Sequence, residues 1–308
     1  MAEFFSRRFD QASSLRELVL SRRSEPLATR DETADLSTPY GRLARVVAVS
    51  SGKGGVGKTS LAVNLGLALQ ELGRRVALVD ADLGMANVDI LMGLVPQYHL
   101  GHVADGTCTL EQALCRDPDG LLVLPGASGL MELASMRGEA LQRLLGQLRR
   151  LDRLVDVMLI DTGAGIGEQV MAFLQASPEV IVVATPEPTS VTDAYGLVKV
   201  LTRTRSAARL HLVVNMCRNA DEGMRVAGRL KAVAGRFLGV ELSLLGAVPH
   251  DPAVSRAVLD QVPLLRGWPR SPAARGVREV ARRLLELPAV TSGGGLSGAL
   301  RRMVRLTR

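Results

Sequence analysis

In the stretch Ser50-Ser51-Gly52-Lys53-Gly54-Gly55-Val56-Gly57-Lys58-Thr59-Ser60, glycines alternate with two lysines and the run ends in paired hydroxyls. That spacing suits a phosphate cradle. Gly54, Gly55 and Gly57 let the backbone turn at positive φ and bring N–H groups against phosphate oxygens, at the positive end of the helix that follows. Lys58 is placed to reach the β- and γ-phosphates of a nucleotide, and the hydroxyl of Thr59 to ligate Mg²⁺. Gly52, Val56 and Ser60 complete the loop. A ligand-free glycine turn is the bland alternative, and the Gly-Lys-Thr ending between a strand and a helix argues against it.

Carboxylates stand at two further strand ends. The apolar run Val157-Met158-Leu159-Ile160 delivers Asp161, which in a Walker B arrangement holds Mg²⁺, usually through water. Gly163, Gly165 and Gly167 follow and free the backbone to sense a γ-phosphate. A second run, Val76-Ala77-Leu78-Val79, ends in Asp80-Ala81-Asp82. Such positions lie on the rim where open α/β sheets bind ligands. Asp80 is read as a further support for Mg²⁺ through water, while capping of the next helix suits Asp89. Asn215 closes the run Leu210–Val214, and its amide donor and acceptor match an adenine edge, with a turn cap as the alternative. His99 and His102 lack a third ligand nearby, which speaks against a metal site there.

These residues require strands alternating with helices. The pattern predicts an α/β fold: a three-layer P-loop NTPase with a mostly parallel seven- or eight-stranded sheet, covered by helices on both faces and joined by right-handed crossovers. The 308 residues suffice for one large domain, placed at 43–288, with short appendages. No run of apolar residues is long enough for a membrane span, and no signal core stands at the amino terminus. Cys108, Cys115 and Cys217 form no CxxC pair, which suits a reducing compartment and counts against an iron–sulfur site. The expected location is the cytoplasm.

The appendages carry the rest of the charge and pattern. Residues 1–23 read either as a short amphipathic helix capped by Asp10, with Phe9, Ala12, Leu15, Leu18 and Val19 along one side, or as a tail with chance periodicity. Residues 24–42 are a linker and 289–295 a hinge. In residues 296–308, Leu296, Ala299, Leu300, Met303 and Val304 recur at helical spacing, with Arg301, Arg302, Arg305 and Arg308 opposite. Two readings stand: a helix packed on its own domain, or one lying in an anionic membrane interface. The glycine hinge and the purely basic polar face favour the second. The formal charge of +7 asks for an acidic partner.

The early lysine, Lys53, makes the loop resemble the deviant Walker A of the MinD/ParA family. That resemblance covers about residues 43–308. It implies a slow, Mg²⁺-dependent ATPase in which Lys53 reaches the nucleotide of a second subunit, so that ATP joins a homodimer. Asp82 would orient the attacking water, and the block Thr185-Pro186-Glu187-Pro188-Thr189-Ser190 would lie near the dimer face. Pro249 would belong to the loop that encloses the base. Asp10-Gln11-Ala12-Ser13-Ser14-Leu15-Arg16 is similar to the DQAxxLR motif of the family's flagellar-number branch, FlhG (also called FleN). For that branch the implied partners are the SRP-type GTPase FlhF, engaged through Asp10, Gln11, Ala12, Leu15 and Arg16, with flagellar basal-body or C-ring proteins and a flagellar transcription activator. Reversible attachment to the inner face of the cell membrane, and no specific nucleic acid, are implied as well. A MinD-type division-site regulator and a ParA-type partitioning ATPase are the rivals. The first has no reason to carry the Asp10 to Arg16 segment, and the second would bind DNA through its folded domain with steep salt dependence.

Overall fold

Valine- and leucine-rich runs form the strands, and the segments between them wind into helices. The computed structural model describes residues 43–82, 87–126, 138–204, 206–290 and 295–306. In chain order the elements are β1 (Arg45–Ser51), α1 (Lys58–Glu71), β2 (Val76–Ala81), α2 (Val88–Met92), α3 (Leu100–Asp105), α4 (Leu110–Ala113), β3 (Cys115–Arg116), β4 (Leu122–Leu124), α5 (Gly138–Leu154), β5 (Val157–Ala164), α6 (Glu168–Ala176), β6 (Glu179–Ala184), α7 (Pro188–Arg203), β7 (Arg209–Cys217), α8 (Ala220–Leu238), β8 (Leu242–Pro249), α9 (Pro252–Leu259), α10 (Leu264–Gly267), α11 (Pro272–Glu286) and α12 (Gly295–Leu306). The strands make one eight-stranded sheet in the order β3-β4-β2-β5-β1-β6-β7-β8. All pairings are parallel except β3 with β4.

Each central strand is buried on both faces, which is why it reads as an unbroken apolar run. Val46 and Ala48 of β1 face one core layer, shared with α5, α6, α7, α8 and α12. Val47 and Val49 face the other, shared with α1, α9, α10 and α11. Helix α1 is buried nearly all round, from Lys58 to Leu69. That explains why its apolar positions Leu61, Val63, Leu65, Leu67 and Leu69 fall at every second residue instead of on one helical stripe.

A buried ionic knot fixes the amino-terminal ends of three strands. Arg45 forks onto Glu179 with bonds of 2.8 and 2.7 Å, and His211 Nε2 lies 2.9 Å from Glu179 Oε2. The knot reaches beyond the sheet. Arg45 also donates to the carbonyls of Leu284 and Leu287, and the Val290 N–H donates to Glu179. It therefore anchors the end of α11 and the chain leading toward α12. Burial pushes the Glu179 carboxyl up, but bonds from His211 and Arg45 and the charge of Arg45 outweigh it and hold the group at about 2.

Of the two readings for the carboxyl-terminal helix, this structure adopts the packed one. Helix α12 lies on α5 and α6. The carboxylate of Asp152, fully buried in α5, accepts from the Ser297 N–H at 3.1 Å and so serves an orphan donor of the first turn. The expectation that Arg301, Arg302, Arg305 and Arg308 all point away from the domain is corrected at Arg302. Its guanidinium donates to the carbonyl of Ala176, at the end of α6, over 2.9 and 2.6 Å. The physical reason is the unpaired carbonyl there, which a guanidinium can satisfy. The side chains of Leu296, Leu300, Met303, Val304 and Arg305 lie outside the described set, as does the whole Asp10 to Arg16 segment. No described helix is long and apolar enough to cross a membrane.

Candidate functional site

The strand order places β2, β5 and β1 side by side, so one rim receives Asp80 and Asp82, Asp161, and the glycine loop. Asp80 pairs in register with Asp161, and Asp161 with Val49. Helix α1 begins at Gly57, whose φ of 80° lies in the left-handed region. No side chain caps its first turn, and that turn carries no acid. The orphan N–H groups at this positive helix end are the donors an anion would take. Gly55 is also left-handed, but Gly54 is not, which corrects the expectation of positive φ at all three glycines. Gly52 is needed for close approach: a Cβ there would lie 2.2 Å from the carbonyl carbon of Asp193 and 2.7 Å from the Ala194 nitrogen. The loop is thus seated directly on the backbone of α7.

Lys58 is 7% exposed, and its ammonium lies 2.7 Å from Asp161 Oδ1 and 3.9 Å from Asp82 Oδ2. The three predicted residues meet. Thr59 Oγ1 is 3.2 Å from the same ammonium. Burial pushes the Asp161 carboxyl up, and the charge and hydrogen bond of Lys58, then a bond from Thr59, pull it back. Its second oxygen, Oδ2, is buried with no hydrogen-bond partner. An unsatisfied carboxylate oxygen beside a threonine hydroxyl, at the mouth of a phosphate loop, fits Mg²⁺, which keeps several waters and takes few protein ligands. Among the described residues no cluster of three or more His, Cys, Asp or Glu could hold a metal by itself, so such an ion would depend on phosphate oxygens as well.

Asp80 has a role that its sequence context did not reveal. Its carboxylate accepts from the N–H of Asp82 at 3.1 Å, of Asn87 at 3.1 Å and of Val88 at 3.2 Å. It therefore caps α2 from a distance and fixes both ends of the loop that carries Asp82. The cap expected of Asp89 is supplied here, while Asp89 Oδ1 accepts only from the adjacent Ile90 N–H among the bonds described. Burial, then the charge of Asp161, push the Asp80 carboxyl up to about 7.

Lys53 lies apart from this cluster. Its ammonium pairs with Glu187, the N-cap residue of α7, and lies 3.1 Å from Thr189 Oγ1. A carboxylate of the same chain therefore answers Lys53. Helix α7 starts at Pro188, where proline presets the first helical turn. The Ser190 hydroxyl accepts from the Thr185 N–H. Asn215 is also tied to the loop. Its amide donates to the carbonyl of Val56 at 2.8 Å and pins the loop from β7. The next residue, Met216, holds a left-handed φ of 57°, a strained setting for a side chain beside the loop. Pro249 ends β8 opposite Cys217, at the same rim.

Comparison with known proteins agrees with this geometry. Residues 42–285 match the ParA family profile, described as NUBPL iron-transfer P-loop NTPase. Antiactivator FleN of Pseudomonas aeruginosa is 41% identical over 244 residues, which is 79% of this chain and 87% of that protein. The chain belongs to the MinD/ParA family, in its FlhG/FleN branch. Flagellum site-determining protein YlxH of Helicobacter pylori is 34% identical, over 77% of this chain and 80% of that protein. The septum site-determining protein MinD of Pyrococcus horikoshii, solved with Mg-ADP, superposes with a TM-score of 0.64 at 28% identity, over 79% of this chain and 96% of that one. As a member of the MinD/ParA family the chain is a P-loop ATPase. The iron transfer in the profile's description finds no thiolate pair here. Cys108 and Cys217 are buried, and burial pushes all three thiols up, Cys217 to about 11.

Proposed function

We propose that this ATPase is a nucleotide-driven switch that sets flagellar number and placement: ATP joins two copies, favours membrane attachment, and hydrolysis reverses both. The observation that carries the reading is Lys53. It is 30% exposed at the rim, and its described partners lie on the surface of α7 and not among the rim aspartates. A lysine so placed can be handed to a second copy's phosphates.

The chain's own residues divide the work. The N–H groups at Gly57 and the start of α1 bind phosphate oxygens, and Lys58 moves from Asp161 to the β- and γ-phosphates. Thr59 and Asp161 hold Mg²⁺, with Asp80 behind them. The bound ion supplies charge neutralisation across the transferring phosphate. Asp82 accepts a hydrogen bond from the attacking water and orients it in line. Asn215 and Pro249 border the base.

The flagellar assignment rests on the FleN and YlxH relatives and on Asp10, Gln11, Ala12, Leu15 and Arg16, the segment read as engaging the FlhF GTPase. An antiactivator relative also points to a transcription activator as a partner, with C-ring proteins as further cargo. The decisive comparison measures mass by light scattering with ATP and with ADP, using an Asp82→Ala background to stop turnover. Wild type should become a dimer with ATP only, and Lys53→Ala should stay a monomer. ATP-dependent dimers of Lys53→Ala would refute the switch as drawn. In parallel, residues 1–23 as a peptide should stimulate GTP hydrolysis by FlhF, and Gln11→Ala with Arg16→Ala should abolish it. A silent wild-type peptide would return the cargo to division-site positioning.

A further inference from the structure

Helix α8 presents a row of arginines that make no ion pair among the described residues. Arg225, Arg229 and Arg236 are all exposed. At ~100° per residue they fall within about 40° of one another, along roughly 16 Å of helix. Between Glu222 and Glu241 the sequence holds no Asp or Glu, while Lys231 adds a fourth cation. Several other arginines do find acids: Arg75 with Asp156, half-buried Arg266 with Asp117 and Asp119, half-buried Arg278 with Glu71, and Arg282 and Arg283 with Glu279. Among the described residues no ion pair involves Arg225, Arg229 or Arg236. Like charges at i and i+4 weaken a helix, so the row carries a cost with no local return.

Apolar side chains accompany the row. Val233 and Phe237 flank it, 39% and 65% exposed, and the Arg236 guanidinium lies 5.3 Å from the Phe237 ring centroid. Met224, 56% exposed, stands near the start. A duplex phosphate backbone would gain nothing from such groups. The headgroup boundary of an anionic bilayer takes both kinds, arginines toward phosphate and aromatic or aliphatic groups toward the acyl chains. Helix α8 also lies on the same face of the sheet as α12, since Val226, Leu230 and Ala299 share one core layer.

We propose that the exposed face of α8 is a second contact with an anionic lipid surface, acting beside the carboxyl-terminal helix. This rests on the membrane reading given above, and it predicts two separable determinants where the sequence pattern offers one. Weak contacts on one body multiply when both can engage together.

The test is co-sedimentation of the full chain, with ATP, on vesicles of phosphatidylglycerol and phosphatidylcholine, with phosphatidylcholine alone as reference. Arg225→Gln, Arg229→Gln and Arg236→Gln together should weaken binding on the order of 100-fold, with turnover unchanged as the check on folding. Phe237→Ser should weaken it a few-fold more at fixed charge. Met303→Glu marks the terminal helix separately. Wild type that binds the anionic vesicles, with the triple variant within about twofold of it, overturns the α8 contact and leaves the membrane reading intact. Wild type that fails to bind overturns both. Unchanged vesicle binding with lost retention of duplex DNA reassigns the row to nucleic acid.

Discussion

Replacing Glu179 by glutamine tests the buried knot at the foot of the sheet. The substitution keeps shape but removes the charge facing Arg45 and His211, both buried with it. The native carboxyl is held at about 2, against an ordinary 4.5. A lowered acid contributes stability that is present above the unfolded value and is lost as pH falls toward the folded one. The side chain is fully buried and unscreened by solvent, and the shift corresponds to about 3 kcal/mol at neutral pH. Breaking a buried pair by removing one partner costs a similar ~3–5 kcal/mol. Urea unfolding of wild type and Glu179→Gln, in steps from pH 7 to pH 2, measures both. We expect a gap of about 3 kcal/mol or more at pH 7 that narrows steadily below pH 4.5, as wild type takes up the proton that glutamine mimics. A gap independent of pH would mean that geometry, and not the carboxylate charge, carries the knot.

Two other substitutions probe the rim. Asp80→Ala removes the acceptor of three N–H groups that bracket the Asp82 loop, so turnover should fall tenfold or more, roughly, while nucleotide affinity by equilibrium titration stays within about threefold. Equal losses in both would instead make Asp80 part of the binding shell. Gly52→Ala forces a Cβ against the Asp193 carbonyl, so the loop or α7 must move; melting should show a loss of ~1–3 kcal/mol and ATP affinity should drop with it. Full stability with normal binding would show that the seat yields.

The rim was legible because its chemistry is consecutive in sequence. A glycine loop between β1 and α1, and acids closing β2 and β5, need only strand order to converge, and the parallel crossover pattern supplies it. What the sequence hid depends on partners far along the chain. Asn215 reaches Val56 across 159 residues, and Lys53 reaches Glu187 across 134. Nothing in an Asn-Met pair or a Pro-Glu-Pro run announces those bonds. The choice between the packed and the membrane reading of α12 is hidden for the same reason. Its docking depends on Asp152, a buried acid inside a Leu- and Arg-rich helix. The clue was available in part, since Asp152, the one acid between Arg143 and Arg153, invites the question of what it caps.

Both loop lysines are neutralised by carboxylates of their own chain, and that arrangement ties phosphate binding to α7. A γ-phosphate that draws Lys58 away leaves Asp161 and Asp82, two carboxylates on one crowded rim, in need of another cation, which is the condition for Mg²⁺ to enter with the nucleotide. A phosphate that draws Lys53 away leaves Glu187 unpaired at the start of α7, where a carboxylate is favoured by the helix end. Gly52 couples the two events, because its contact with Asp193 and Ala194 lets no loop movement pass without pressing on α7. The nucleotide signal should therefore leave the site through the first two turns of α7, the surface that carries Glu187 and Thr189, and variants there should keep ATP binding while weakening the ATP-dependent dimer proposed above.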